Sequence, residues 1–196
     1  MNNYNLILAS GSPRRKELLE RIGLTFTVHP AAADETLIPG LTPQEQVERL
    51  SRIKAHAVGE YHPENAVILS ADTVVVRDGS ILGKPTDSAD AEQMLLSLSG
   101  RSHLVLTGVT VRTNSRVQTH CEKTEVHFRP LNRTEIRAYI ATGEPMDKAG
   151  AYGIQGYASL FVDKLVGDYY NVVGLPLCAT AQMLRTAGIP ILEAKA

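Results

Sequence analysis

The sequence predicts a mixed α/β fold, a β-sheet covered by helices. Strand-like apolar runs alternate with helix signatures along the whole chain, and hairpin patterns interrupt that alternation in the middle. The hairpins demand antiparallel pairs, so a purely doubly wound parallel sheet is excluded. Size agrees: 196 residues, 43% hydrophobic and 21% charged, suit one generous domain or two small lobes sharing a cleft.

Asn5 to Ala9 reads as a short buried strand, followed by the turn Ser10-Gly11-Ser12. Ser12 then offers an N-cap and Pro13 a first helical position, while Leu18, Leu19 and Ile22 form an apolar stripe that Gly23 closes. Thr25 to His29 predicts a second strand, and the loop after it carries Asp34 and Glu35. Thr42 and Glu45 make a capping box for a helix with Val47, Leu50, Ile53 and Ala57 on its inner face. Ala66 to Ser70 is the next strand. Val74 to Val76 and Ile81-Leu82 flank an Asp78-Gly79 hairpin turn.

Ser88 caps a helix whose inner side is Met94, Leu95 and Leu98, ended by Gly100. His103 to Arg112 and Val117 to Phe128 alternate as long antiparallel strands. Asn132 with Glu135 opens a helix through Tyr139 and Ile140. Leu160 to Val166 and Tyr169 to Val173 predict strands, and Leu175-Pro176 starts a last helix that stops before Gly188.

Charge excludes some functions. Twenty basic residues stand against 21 acidic ones, so the chain has no bulk attraction for nucleic acid or an anionic membrane. An anionic ligand must be held by a local basic cluster. No apolar run reaches the roughly 18 residues that a membrane span needs, and the N-terminus lacks a signal-peptide pattern. Cys121 and Cys178 show no CxxC spacing, which leaves the cytoplasm as the default compartment. No Walker A loop, GxGxxG or HExxH occurs, so dinucleotide and zinc chemistry lack support.

Four segments carry candidate chemistry. Ser10 to Arg15 places a small-residue turn at a helix N-terminus, where exposed N–H groups favour an anion. Arg14 and Arg15 oppose the helix dipole there. Either a phosphorylated ligand resolves the conflict or both arginines are solvated. Asp72, after an apolar run, either holds Mg²⁺ or accepts a proton from water, or else begins a turn or caps a backbone group. Lys54 and Lys84 either reach the same cleft or point to solvent. Gly143 to Gly156 is a binding loop or a flexible connector, and Gln155 has the donors and acceptor to read a base edge.

Together these segments resemble the Maf family of nucleoside triphosphate pyrophosphatases. The matching pieces are Leu8 to Arg15, Asp34-Glu35, Lys54-Ala55, Ser70 to Thr73, Gly83 to Pro85, Asp147 to Gly156 and Asn171 to Pro176. Each is weak alone; seven in family order, from residue 8 to 176, make a specific signal. The resemblance implies a Maf/Ham1-like single domain over 1–196, with a curved mixed sheet, flanking helices and two lobes around a deep cleft. It implies hydrolysis between the α and β phosphates, with a divalent cation, Mg²⁺, Mn²⁺ or Co²⁺.

Ala71 to Thr73 and the run ending in Gln155-Gly156 resemble the branch that acts on dTTP, UTP and modified pyrimidine nucleotides. On that resemblance Asp72 is the general base and, with Glu35, a metal ligand. Arg14, Lys54 and Lys84 neutralise the triphosphate. Ser10, Arg15 and the turn amides hold phosphate oxygens, while Thr73 and Gln155 read the pyrimidine. The expected partners are a nucleoside triphosphate and a second copy of the chain, with no nucleic acid and no membrane. Two readings compete: an enzyme for 7-methyl-GTP or a broad range of noncanonical nucleotides, and a non-catalytic nucleotide-binding regulator of septum formation.

Overall fold

The computed structural model describes residues 4–62 and 65–192. Among them a seven-stranded mixed sheet runs in the order β2-β1-β3-β5-β6-β7, with β4 paired to β3. β1 (Asn5–Leu8) lies parallel to both β2 (Thr27–Val28) and β3 (Ala66–Arg77). β4 (Ser80–Leu82) returns antiparallel along β3, and Asp78 and Gly79 both take positive φ, as the two central residues of a type I′ turn require. β5 (Ser102–Arg112) and β6 (Val117–Phe128) are neighbours joined by a four-residue turn, and β7 (Val162–Val166) pairs antiparallel with β6.

Among the described residues the α-helices are α1 (Pro13–Arg21), α2 (Pro43–Gly59), α3 (Ser88–Leu98), α4 (Arg133–Ala141), α5 (Tyr169–Val173) and α6 (Leu177–Thr186). α2 and α4 begin as their caps predict. In α2 the Thr42 hydroxyl accepts the Glu45 N–H while the Glu45 carboxylate accepts the Thr42 N–H, a complete capping box. α4 starts on Asn132, whose side chain accepts the Glu135 N–H.

Six expectations need correction. α3 is capped by Asp87, one residue before Ser88, because its carboxylate reaches the Asp90 N–H. The strand expected at 25–29 shrinks to Thr27–Val28, and the one expected at 160–166 starts at Val162 behind a 3₁₀ turn, Tyr157–Phe161.

Tyr169–Val173 is helical despite its β-prone residues. The Asp168 carboxylate accepts the Tyr170 N–H, and buried Asn171 donates to the Val105 carbonyl and the Thr124 hydroxyl, so local capping and tertiary bonds override propensity. β3 does not stop at Ser70. It runs unbroken for 12 residues, and Asp72 sits mid-strand, neither at a carboxyl end nor in a turn.

The inner face of α2 is also rotated from the apolar guess. Val47, Leu50, Ser51, Lys54, Ala55 and Val58 are buried, whereas Ile53 and Ala57 are half-buried. Polar side chains occupy that face because each finds a partner there.

The chain divides into two compact units. The first comprises 1–72, 107–122 and 174–196. Its core includes Ile7, Ala9, Ala55, Val58, Ala66 and Ile68, where α2 packs on β1 and β3. Each larger apolar side chain so buried stabilises by about 1.5–3 kcal/mol. α2 also rests directly on β5: a Cβ at Gly108 would collide with the Val47 backbone, so only glycine admits the helix at this depth.

The second unit comprises 73–106 and 123–173. Val75, Leu95, Leu98, Val126 and Ile136 form its centre with the aromatic group Phe128, Tyr139, Tyr152 and Phe161. The rings meet edge-on, at 4.8 Å for Phe128–Tyr152 and 5.1 Å for Tyr139–Phe161.

Candidate active site

In the first unit, β1 delivers the chain to the Ser10-Gly11-Ser12 turn and α1. Pairing continues past the strand, since the Ala9 N–H donates to the Leu69 carbonyl at 2.7 Å. Ser12 stands at the cap position, yet its side chain makes no cap hydrogen bond. Buried Ser10 organises the turn instead: its Oγ accepts the Ser12 N–H at 3.3 Å and Arg15 Nη1 at 3.0 Å.

Arg15 also donates through Nε to the Gly174 carbonyl at 2.8 Å. It is therefore not a solvated helix residue but a fork joining the turn to the stretch before α6. Burial lowers the Arg15 pKa from its ordinary value, and Arg14 adds to this, while Asp72 and Glu35 oppose it. Those influences place two cations and two carboxylates in one electrostatic neighbourhood.

The carboxylates meet at Lys54, whose Nζ donates to Asp72 Oδ1 at 2.6 Å and lies 3.1 Å from Glu35 Oε1. Lys54 and Asp72 are each only 8% exposed, whereas the Glu35 side chain is largely exposed. The solvated reading of Lys54 is thereby excluded. β3 alternation sets the pair up: Ala66 and Ile68 pack among the α2 residues, Ser70 bonds α2, and Asp72 meets Lys54, all on one face.

Three polar residues that sequence reasoning passed over hold this arrangement. Ser51, one turn before Lys54, bonds Thr110 Oγ1 at 2.8 Å, and its carbonyl accepts the Ser70 hydroxyl at 2.6 Å. Thr110 continues to Thr119 at 2.9 Å. Gln46 bonds both the N–H and the carbonyl of Ile38, fixing the Glu35 loop to α2. Their signal was faint: hydroxyl and amide residues at inward positions of otherwise apolar elements.

Thr73, Lys84 and Gln155 belong to the second unit. Thr73 follows Asp72 and, by strand alternation, faces the other way. Lys84 and Gln155 are exposed. Gly150 links their surroundings, since its N–H donates to the Gly83 carbonyl at 2.9 Å and a Cβ there would press on Val75.

Gly143 to Gly156 is not a flexible connector. Two 3₁₀ turns fold it onto the helices, Glu144–Asp147 against α4 and Ala149–Ala151 against α3, and Tyr152 and Ile154 are buried. A cavity of about 350 Å³ elsewhere in the first unit, lined by Val67, Val111, Arg116 and Met183 among others, contains none of the site residues.

Among the described residues no group of three or more His, Cys, Asp or Glu gathers around one point. The donor set nevertheless fits a hard dication. Asp72 and Glu35 already converge on one ammonium, and Mg²⁺ takes one or two carboxylates, completing its shell with water and substrate phosphates.

Fold and site thus define an α/β protein with a cationic turn at a helix N-terminus and a buried lysine shared by two carboxylates, an arrangement suited to a phosphorylated ligand. The chain belongs to the Maf family: the profile of that family, described as Maf-like protein, matches residues 5–187. It is 56% identical over 187 residues to the dTTP/UTP pyrophosphatase of Symbiobacterium thermophilum, covering 95% of each chain. The dTTP/UTP pyrophosphatase of Halalkalibacterium halodurans is 55% identical over 183 residues, covering 93% of this chain and 96% of its own. That of Bacillus pumilus is 50% identical over 184 residues, covering 94% and 97%.

Proposed function

We propose that this chain hydrolyses dTTP and UTP to the monophosphate and pyrophosphate. The observation that carries the reading is the Lys54–Asp72 contact beside Glu35 and the Arg15-braced turn, in a chain about half identical over nearly its whole length to relatives named dTTP/UTP pyrophosphatase.

In this reading Asp72, bonded to Lys54 through Oδ1, uses its other oxygen to take a proton from water. That water attacks the α-phosphorus, the bond from it to the bridging oxygen breaks, and pyrophosphate leaves with the electron pair. Lys54, Arg14 and Lys84 neutralise the triphosphate, while Ser10, Arg15 and the turn amides orient its oxygens. Asp72 and Glu35 hold a divalent cation, which supplies charge neutralisation at the phosphates when bound. Thr73 and Gln155 read the pyrimidine.

The setting we propose is cytoplasmic. No helix among the described residues is long and apolar enough to cross a membrane, and both cysteines are free thiols. A homodimer is proposed on the prevalence of two-fold pairs, and no nucleic-acid partner is proposed for a chain of balanced charge.

The test is pyrophosphate release from dTTP, UTP, CTP, GTP and 7-methyl-GTP, with Mg²⁺, Mn²⁺ or EDTA. Metal-dependent release from dTTP and UTP supports the reading. Release from 7-methyl-GTP alone overturns the specificity, and binding without release overturns the catalysis.

A further inference from the structure

We infer that Glu144 is a positioning residue for base selection, acting through Gln155; the inference rests on the proposed reading of Gln155. Gln155 occupies the third position of a turn closed by the Gly156 N–H donating to the Gly153 carbonyl at 3.1 Å. It is exposed between buried Ile154 and a backbone that Glu144 grips on both sides.

Ahead of Gln155, the Gly153 N–H donates to the Tyr139 hydroxyl at 3.3 Å, and that hydroxyl donates to Glu144 Oε1 at 3.0 Å. Behind it, the Tyr157 N–H donates to Glu144 Oε2 at 3.0 Å. One carboxylate therefore closes a ring around the turn, each oxygen taking one side.

The glycines flanking Gln155 make the grip close. A Cβ at Gly156 would run into the Glu144 carboxylate, and one at Gly153 would meet Lys148 Cε at 2.6 Å. Lys148 in turn donates to the Glu144 carbonyl at 2.7 Å, fixing the backbone from which the carboxylate projects. Tyr139 is buried, and burial followed by the Glu144 charge raises its pKa, so the hydroxyl keeps the proton that the ring requires. A turn held this way presents its apex side chain in one place, which is what discrimination between pyrimidine edges requires.

The experiment measures kcat/KM for UTP and CTP in wild type, Glu144→Ala, Gln155→Ala and the double variant, with thermal melting to establish folding. Glu144→Ala is expected to lose about tenfold of the UTP preference while its kcat on UTP stays within about threefold. The double variant should lose no more preference than Gln155→Ala does, because both changes remove one effect.

Should Glu144→Ala not fold, Tyr139→Phe removes a single hydroxyl from the ring and is expected to cost about threefold in preference. Preference intact in a folded Glu144→Ala or in Tyr139→Phe, or losses that multiply in the double variant, overturns the proposal. A wild-type chain that does not distinguish UTP from CTP, or a Gln155→Ala that distinguishes them as wild type does, overturns the reading of Gln155 and the proposal with it.

Discussion

Lys54 Nζ lies 2.6 Å from Asp72 Oδ1, joining the face of α2 to the middle of β3 at a point where both residues are nearly withdrawn from water. A buried charge with a partner is tolerable, and one without is not. Lys54→Met is expected to cost about 3–5 kcal/mol of stability, measured by urea denaturation. Lys54→Met with Asp72→Leu should recover most of it. A single variant as stable as wild type would refute the pairing.

Chemistry at Asp72 separates from its structural role in a gentler change. Asp72→Asn keeps the shape and removes the proposed base, so pyrophosphate release should fall by about 10²–10⁴ while nucleotide still binds. Glu35→Gln should instead raise the half-saturating Mg²⁺ concentration, by about tenfold. Equal metal dependence in Glu35→Gln and wild type would remove Glu35 from the metal site.

Arg15 reaches Ser10 and Gly174 at once, which a planar fork can do and a single ammonium cannot. Arg15→Lys should therefore raise KM for the nucleotide about tenfold. A variant with unchanged KM would show that the turn holds its shape without the fork.

His103 is buried, its Nε2 lies 2.7 Å from the Tyr152 hydroxyl, and burial lowers its pKa from 6.5 to about 4, with His127 adding to the effect. The unfolded chain thus binds a proton that the folded one refuses. Stability present above pH 6.5 is lost as pH falls toward 4, by roughly 3 kcal/mol from this group alone. His103→Gln, which retains a bond to Tyr152, should flatten that part of the profile. An unchanged slope in equilibrium unfolding between pH 4 and 6.5 would contradict this.

Gly108→Ala is expected to destabilise by about 3 kcal/mol, since its Cβ would enter the α2 backbone. Gly83→Ala is the control: a Cβ there meets nothing within 4 Å, and its effect should stay within about 0.5 kcal/mol. Chemical denaturation of both variants decides the matter, and similar costs would sink the argument.

Much of the fold was legible in short-range chemistry. The Thr42–Glu45 box, the Asp78-Gly79 turn and the long runs of β5 and β6 follow from spacing and backbone preference alone. What escaped was polar burial. Asp72 read as lying past the end of a strand because it is polar, yet it is satisfied by Lys54 of α2 and the strand passes straight through. α5 escaped for a related reason, since its bonds to Val105 and Thr124 come from far along the chain.

The candidate site was legible as residue types, through the resemblance. Its bracing was not, because Gln46, Ser51 and Thr110 carry no chemistry of their own and reveal their purpose only beside their partners.

The seating of α2 on Gly108 has a further consequence. A contact made of main-chain atoms has no rotamers through which to relax, so the depth of the helix is set by a hard stop. Substitutions that shrink apolar side chains around α2 therefore cannot be compensated by the helix sinking further toward β5 at Val47, and the space they open stays as a void.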